Sequence, residues 1–313
     1  MTLRNTLLAL SLALCLLQPS AQATAPATDA PAAPAARPLL WKVSDADNSV
    51  YLLGSFHLLK ETDYPLPVEV DRAFADAESL LFEIDPQAMT APETVATMQK
   101  YMAYEDGKSL STALPKATLD KLATLVSASG GSIAAMEHSE PWAVSLGLVM
   151  GVSQSMGFRP DLGVDRHLME RAAKAGKPTA GLETAEDQFR AMDSVPHAEQ
   201  AKGLDEFLDD PRKLVQQMGE MHDWWRAGDV ARLDSELRAQ MAEETPVTYR
   251  LLNVERNRAW LPQVERRLTE SKADDTLVVV GALHLLGDDG LVSRLRAKGY
   301  RVERICDACA AGN

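Results

Sequence analysis

Two apolar runs, one near each end of the chain, share one pattern of hydrophobic and polar positions. Residues 50–53 and residues 277–280 contain only Val, Leu and Tyr, and each run ends at a glycine. In both copies a histidine follows three positions after the glycine, and Leu-Leu follows the histidine. Because a continuous apolar run bounded by glycine is typical of a strand buried on both faces, the pattern predicts two such strands.

Strands and helices are predicted to alternate around the first run. Residues 41–43 and 50–53 flank the polar turn 45–48, which indicates a hairpin. Apolar positions then recur at helical spacing over residues 68–77, and a strand is predicted at residues 80–84. The order of hairpin, helix and strand is typical of a parallel crossover.

The C-terminal part has the same alternation, and the region between the two parts is helical in pattern. Two helices and two strands are predicted near the C-terminus: a helix at 249–268 with a kink or break at Pro262, a strand at 276–282, a helix at 288–298 and a strand at 300–305. We therefore expect an α/β fold whose central sheet, mixed or parallel, is built from the N- and C-terminal halves. A large helical insertion, about residues 90–244, separates the halves.

The two ends of the chain differ in composition from this single predicted domain, residues 39–305. Residues 1–23 have one positive charge, an apolar run and Ala21-Gln22-Ala23, which together indicate a cleaved signal peptide. Residues 24–38 are rich in Ala and Pro, as flexible linkers are. The tail, residues 306–313, contains Cys306 and Cys309, and in an oxidising compartment such a pair is expected to form a structural disulfide.

Charge and motif content narrow the class of function. The net charge of −13 argues against nucleic acid and against anionic membrane surfaces as partners. No segment after the signal peptide is long and apolar enough for stable membrane insertion, so we expect an exported protein, periplasmic or secreted. The sequence has no Gly-x-Ser-x-Gly, phosphate loop, dinucleotide fingerprint or His-Glu-x-x-His, which disfavours the enzyme classes that use them.

The histidines that end the two runs are the leading functional candidates. His57 and His284 are each predicted at the carboxyl end of a strand, and ligands of open α/β sheets bind at that edge. Imidazole is a common metal ligand and a general base near neutral pH. A single histidine after a strand is more often a capping or packing residue, but the repetition of the whole motif favours a functional pair.

Two carboxylates and one arginine could complete the site. Glu83 lies between apolar neighbours in a predicted strand, where a charge is costly unless it is paired, although it could also face solvent like Asp85. Glu183 ends a short predicted strand, or it is a helix N-terminal charge. Arg256 could pair with a carboxylate or polarise a substrate carbonyl, but a solvated helix face is the simpler expectation.

The remaining polar candidates are weaker. Asn257 follows Arg256 and has less support than that arginine. His167 is held in reserve, because Asp165 and His167 cannot share a helix face at a spacing of two. The polar surroundings of the other histidines are typical of surface residues: His138, His197 and His222.

The chain resembles the TraB/GumN family, which includes the Tiki proteins. The paired Gly-x-x-His motifs are the specific part of this resemblance, and other segments agree with it in order: residues 39–43, 81–85, 181–184 and 255–258. The resemblance implies a Tiki-like hydrolase, with some members described as metal-dependent peptidases. On that basis His57, His284 and Glu83 would hold one divalent metal ion of the Mn, Co or Zn type, with Glu83, Glu183 and Arg256 as catalytic residues.

The hydrolase hypothesis has two rivals. A related fold, the erythromycin-esterase type, suggests a metal-free hydrolase in which one histidine is the base. Alternatively, the histidine pair could bind a metal or haem without turnover, or the fold could be an interaction module. For either hydrolase, the expected partner is a peptide or a small-molecule substrate.

Export can be tested directly. Because residues 1–23 have the pattern of a signal peptide, the mature protein from the native host should begin near Thr24. N-terminal sequencing checks this expectation. Retention of Met1, or a lipid on Cys15, would contradict it.

Overall fold

The sheet contains strands from both ends of the chain. The computed structural model describes residues 36–104, 107–270 and 274–312, so the predicted signal peptide and most of the linker lie outside the described residues. Among these residues the strands are β1 (Leu40–Ser44), β2 (Ser49–Ser55), β3 (Ser79–Ile84), β4 (Thr179–Glu183), β5 (Thr276–Gly281) and β6 (Arg301–Arg304). They form one sheet in the order β4-β3-β5-β2-β1-β6.

The sheet is mixed, and its parallel part places the two repeated motifs side by side. Strands β4, β3, β5 and β2 pair in parallel, whereas β1 pairs antiparallel with β2 and with β6. In the register of β2 and β5, Ser55 pairs with Gly281. The predicted α/β fold and the expected neighbouring of the two motif strands are therefore confirmed.

Ten helices of seven or more residues surround this sheet in the described part of the chain. They are α1 (Val68–Asp76), α2 (Pro92–Met102), α3 (Lys116–Ala128), α4 (Pro141–Ser155), α5 (Val164–Ala175), α6 (Ala185–Asp193), α7 (His197–Asp209), α8 (Pro211–Ala227), α9 (Glu255–Thr269) and α10 (Leu291–Ala297). Shorter helical segments lie at Glu61–Asp63, Pro86–Met89, Leu110–Ala113, Ile133–Met136, Pro160–Leu162, Val230–Arg232, Ala239–Glu244, Pro246–Tyr249, Ala282–Leu285 and Asp307–Gly312, and π-helical turns lie at Leu233–Arg238 and Arg250–Val254.

The helical insertion is interrupted by one strand of the sheet. Helices α2 to α5 lie between β3 and β4 along the chain, and α6 to α9 lie between β4 and β5. Pro92 and Pro141 occupy first turns, where the missing N–H of proline costs nothing. Pro262 lies inside α9, which continues to Thr269, so of the two expected alternatives the break is wrong and the kink stays a prediction. Tertiary packing of the helix outweighs the single lost backbone hydrogen bond.

The core is centred on the parallel strands. Every residue of β2 and of β5 is buried, as their unbroken apolar runs predict. Trp142 of α4 and Trp260 of α9 are the largest fully buried side chains. Within the described part of the chain, no helix combines the length and the apolar character needed to cross a bilayer.

The C-terminal tail is fastened near α1. Cys306 and Cys309 form the expected disulfide. The backbone N–H of Asp307 donates to Glu69 Oε1 at 2.8 Å, and Arg72 pairs with the Asp307 carboxylate at 2.8 Å. The tail therefore contacts the helix that follows the first motif.

Truncation of a side chain in the central strand should be costly. Leu52 of β2 is fully buried, and Leu52→Ala should lower the free energy of unfolding by about 2–5 kcal/mol, because it leaves a cavity in the core. Val215→Ala on α8 is the control, since Val215 is 40% exposed and its truncation should cost less than about 0.5 kcal/mol. Urea unfolding of both variants measures the difference, and equal losses would contradict this description of the core.

Candidate functional site

The carboxyl ends of four parallel strands bring together four of the predicted residues. Glu183 is the last residue of β4, and Glu83 is the fifth of six residues in β3. His284 follows β5, and His57 follows β2. Because neighbouring parallel strands end at the same edge, these side chains line that edge in the order of the strands.

Gly281 marks the point where three of these side chains converge. Its backbone N–H donates to Glu83 Oε1 at 2.7 Å. A Cβ at this position would lie 3.3 Å from Glu83 Oε1, 3.3 Å from His57 Nε2 and 3.5 Å from His284 Cδ2. The glycine of the second motif thus leaves the space in which both histidines and Glu83 face each other.

His57 is oriented by a carboxylate that sequence reasoning missed. His57 Nδ1 lies 2.7 Å from Asp165 Oδ2, and both side chains are buried. The other ring nitrogen, Nε2, lies 3.9 Å from Glu83 Oε1. Asp165 is the second residue of α5, so it is separated from His57 by 108 residues and no local spacing links the two.

The loop that carries His57 packs tightly against the start of α5. The backbone N–H of Val164 donates to Phe56 O at 3.1 Å. A Cβ at Gly163 would lie 2.2 Å from His57 O, so only glycine allows this approach. The same close packing positions Asp165 beneath the imidazole ring.

Arg256 is buried at the centre of the site. Its Nη2 donates to Glu83 Oε2 at 2.6 Å and to Glu183 Oε1 at 2.7 Å. Its Nε lies 3.1 Å from Glu183 Oε1, and its Nη1 lies 3.1 Å from His284 Nε2. The expectation of a solvated helix face for Arg256 is wrong, because the side chain is only 7% exposed and pairs with two carboxylates.

Local structure explains how Arg256 reaches this position. It lies in the first turn of α9, directly after the π-helical turn Arg250–Val254. Such turns are rare and often occur at functional sites. Arg256 Nη1 also donates to Leu252 O at 3.1 Å within that turn. The guanidinium stacks 4.6 Å from the Trp260 ring, which fixes its plane.

His284 is held by the residue after Arg256. Its Nδ1 lies 2.8 Å from Asn257 Oδ1. Its ring packs 4.5 Å from that of Trp260. Asn257 is fully buried and contacts a motif histidine, so the structure gives it more weight than the sequence did.

Burial and the charge of Arg256 shift the pKa values of Glu83, Glu183 and His284 in different directions. Burial raises the pKa of Glu83, but the nearby Arg256, His284 and His57 and the Gly281 N–H outweigh it and lower that pKa to about 2. Burial raises the pKa of Glu183 above its ordinary value, against the opposing effect of Arg256. Burial and the Arg256 charge lower the pKa of His284 to about 3, so this ring is neutral at neutral pH.

A surface cleft adjoins the buried cluster. Its volume is about 560 Å³, and Glu183 lies both in its wall and in the network around Arg256. Many of the side chains that line it are acidic: Asp85, Glu93, Glu183, Glu186 and Asp187. Gln188, one residue beyond this lining, donates its Nε2–H to Glu83 Oε2 at 3.3 Å. The cleft therefore adjoins the cluster at Glu183, and neither motif histidine is among its lining residues.

The four other histidines are not part of this cluster, among them His167 and His222. His167 is half-buried, and its ring packs 4.8 Å from that of Tyr64. His222 was expected at the surface, but it is buried, because its Nε2 lies 2.9 Å from Asp63 Oδ2 and its ring packs against Phe158. Asp63 belongs to the loop after His57, so this pair fastens α8 to that loop.

Two of the three residues of the predicted metal set, Glu83 and His284, have their donor atoms engaged by protein groups. Glu83 Oε2 accepts from Arg256 and Glu83 Oε1 accepts from Gly281, while both ring nitrogens of His284 have protein partners. Over residues 36–104, 107–270 and 274–312, no group of three His, Cys, Asp or Glu side chains is arranged to hold a metal ion. A divalent ion between His57, His284 and Glu83 would require Arg256 to leave its present partners.

Comparison with known proteins shows that the chain is similar to one family. The sequence profile of the TraB/PrgY/gumN family matches residues 39–304. The chain is similar to a protein of Escherichia coli (strain K12) named "Uncharacterized protein YbaP", with 27% identity over 253 residues, 79% of this chain and 87% of that protein. A protein of the same name from Shigella flexneri matches with the same identity and coverage. No solved structure matches this chain.

The ionised Glu83 should make stability depend on pH. Its pKa falls from 4.5 to about 2 on folding, so its stabilisation is complete above about pH 4.5 and is lost as the pH falls towards 2. At about 1.4 kcal/mol per pKa unit, the difference in the free energy of unfolding between the wild type and Glu83→Gln should shrink by about 3 kcal/mol over this range.

Chemical unfolding at several pH values measures this difference. Glu93→Gln is the matched control, because Glu93 is an exposed carboxylate in the wall of the cleft, and its replacement should show no comparable dependence. A difference for Glu83→Gln that stays constant from pH 5 to pH 2 would show that Glu83 is not held as a buried ion pair.

Proposed function

Because this chain belongs to the TraB/PrgY/gumN family, we propose that it is an exported hydrolase in which His57 is the general base. Asp165 orients His57, and Glu83 completes the group that activates a water molecule. The substrate is a peptide or a small molecule that enters through the cleft beside Glu183. Export is proposed from the signal-peptide pattern of residues 1–23.

The observation that supports this proposal most strongly is the buried pair of His57 and Asp165. A carboxylate 2.7 Å from Nδ1 holds the ring and stabilises the imidazolium that forms when Nε2 takes a proton. Nε2 lies 3.9 Å from Glu83 Oε1, a separation short enough for one water molecule to contact both atoms. Loss of its proton to His57 would make that water molecule a nucleophile.

Arg256 supports the site by its charge rather than by direct contact with a substrate. An arginine has five N–H donors, and the acceptors for those of Arg256 are Glu83, Glu183, Leu252 O and His284. A substrate oxygen would have to displace one of them, so pairing of Arg256 with carboxylates is favoured over the alternative that it polarises a substrate carbonyl. The guanidinium instead keeps Glu83 ionised and fixed in position.

The metal-dependent version of the hydrolase remains a prediction of the family resemblance. His57, His284 and Glu83 are of the right chemical types for a divalent ion, which would supply an acidified water molecule when bound. The bond of Arg256 to His284 favours the metal-free version, because the nitrogen that would bind the ion accepts a hydrogen bond from a cation.

Activity of substituted proteins tests the proposed base. His57→Ala and Asp165→Asn should each lower hydrolysis by about a hundredfold or more, which is typical for the loss of a general base or of the group that orients it. His138→Ala is the control, because His138 is exposed and far along the chain from either motif. A screen of peptides and esters, with thermal unfolding of each variant, gives the measurement. Full activity of His57→Ala would contradict the proposal.

The same screen separates the metal-free mechanism from its rivals. Metal content is measured on the same samples, before and after treatment with a chelator. Activity that survives the chelator supports the metal-free mechanism. Activity that is lost with the metal and restored by added Mn²⁺, Co²⁺ or Zn²⁺ supports the metal-dependent one. Uptake of metal or haem without turnover of any substrate supports a binding protein.

A further inference from the structure

The two copies of the Gly-x-x-His motif differ in the residue that lies behind the histidine ring. Asp165 Oδ2 lies 2.7 Å from Nδ1 of His57, whereas Asn257 Oδ1 lies 2.8 Å from Nδ1 of His284. The geometry at Nδ1 is therefore nearly the same in both copies. The chemistry is different, because one partner is a carboxylate and the other is a neutral amide.

The orientation of the Asn257 amide is determined by its own contacts. Its Nδ2 lies 3.1 Å from Asn253 Oδ1, 3.2 Å from His284 O and 3.0 Å from Asp289 O. Two of these three acceptors are backbone carbonyls, which cannot donate a hydrogen bond. The NH₂ group must face them, and Oδ1 must therefore face His284.

This orientation determines where the proton of His284 lies. Because Asn257 Oδ1 can only accept, Nδ1 of His284 must carry the hydrogen. Nε2 of the neutral ring is then an acceptor, and Arg256 Nη1 lies 3.1 Å from it as a donor. The two contacts agree on one form of the ring, with the hydrogen on Nδ1 and the lone pair on Nε2.

We propose that Asn257 is a positioning residue that makes His284 an anchor for Arg256, so that only His57 of the repeated pair acts as a base. The amide holds the imidazole in its Nδ1–H form and directs the Nε2 lone pair at the guanidinium. Arg256 is thereby held between Glu83 and Glu183. This division of roles rests on the proposed hydrolase function, whereas the position of the proton does not.

An aspartate at position 257 would favour a positively charged His284 ring and so weaken its contact with Arg256. A carboxylate beside Nδ1 favours an imidazolium, as it does for histidines that work as bases. A second hydrogen at Nε2 would then face the guanidinium of Arg256. Two hydrogen-bond donors and two positive charges would lie in contact, which is unfavourable. A neutral partner at position 257 therefore favours the neutral ring, whose Nε2 accepts from Arg256 in the observed contact.

Nitrogen NMR of the full mature chain, labelled with ¹⁵N in histidine, tests the inference at pH 7. The signals of His284 are assigned by comparison with His284→Gln. In the wild type we expect one protonated nitrogen, Nδ1, and one unprotonated nitrogen, Nε2. In Asn257→Asp we expect the unprotonated signal to disappear. A wild-type ring with the hydrogen at Nε2, or with both nitrogens protonated, would overturn the proposal without any variant.

Kinetics on the substrate found in the hydrolysis screen supply the second measurement. Asn257→Ala should lower kcat on the order of a hundredfold with little change in KM, as expected for misplaced catalytic groups. Asn48→Ala is the matched control, because Asn48 is also buried and its Nδ2 donates to Arg267 O at 2.8 Å, at the opposite end of β2 from His57. This control should lose stability but keep kcat and the His284 spectrum.

The outcomes separate this inference from the function on which it rests. An Asn257→Asp spectrum identical to that of the wild type refutes the positioning role, whatever the activity. Equal losses of kcat in Asn257→Ala and Asn48→Ala, at equal loss of stability, would reduce Asn257 to a structural residue. The expected spectra in a chain that hydrolyses nothing would support the positioning of His284 and refute the hydrolase.

Discussion

The pairing of the buried Arg256 with two carboxylates is the interaction on which the site depends. A cation in the core is costly unless it is paired, and the ends of β3 and β4 supply the carboxylates of Glu83 and Glu183. The guanidinium joins these two strands to His284 after β5. Removal of one partner from such a cluster typically costs about 3–5 kcal/mol, because an uncompensated charge remains. The cluster therefore links the strands to one another and also sets the charges of the site.

His57 is positioned by a different set of contacts, which come from two helices of the insertion. Asp165 at the start of α5 holds the imidazole, and the Trp225 Nε1–H of α8 donates to Gly54 O at 3.0 Å. His222 of α8 pairs with Asp63 beyond the motif. The insertion therefore does more than separate the two halves of the sheet, because it holds the loop that carries the proposed base. Rigid support of this kind keeps a catalytic group in a productive orientation.

The repeated motif places two histidines at the same edge of the sheet but in different surroundings. Both follow a glycine at the end of a parallel strand, and both lie near the Cβ position of Gly281. His57 faces a carboxylate, whereas His284 is enclosed by an amide, an arginine and Trp260. Equivalent positions in a repeat therefore need not have equivalent chemistry, because the partners come from helices that the repeat does not include.

The sequence alone determined the central strands and the residues at their ends. Unbroken apolar runs followed by Gly-x-x-His predicted β2 and β5 together with His57 and His284. A carboxylate within or at the end of a short predicted strand indicated Glu83 and Glu183, because such sequence patterns are local properties of the chain. Only the tertiary structure decided the partners of these residues. Asp165 lies 108 residues from His57, and Arg256 lies 173 residues from Glu83. An arginine-rich helix pattern could not reveal that Arg256 is buried, because its burial depends on two carboxylates that reach it from distant strands.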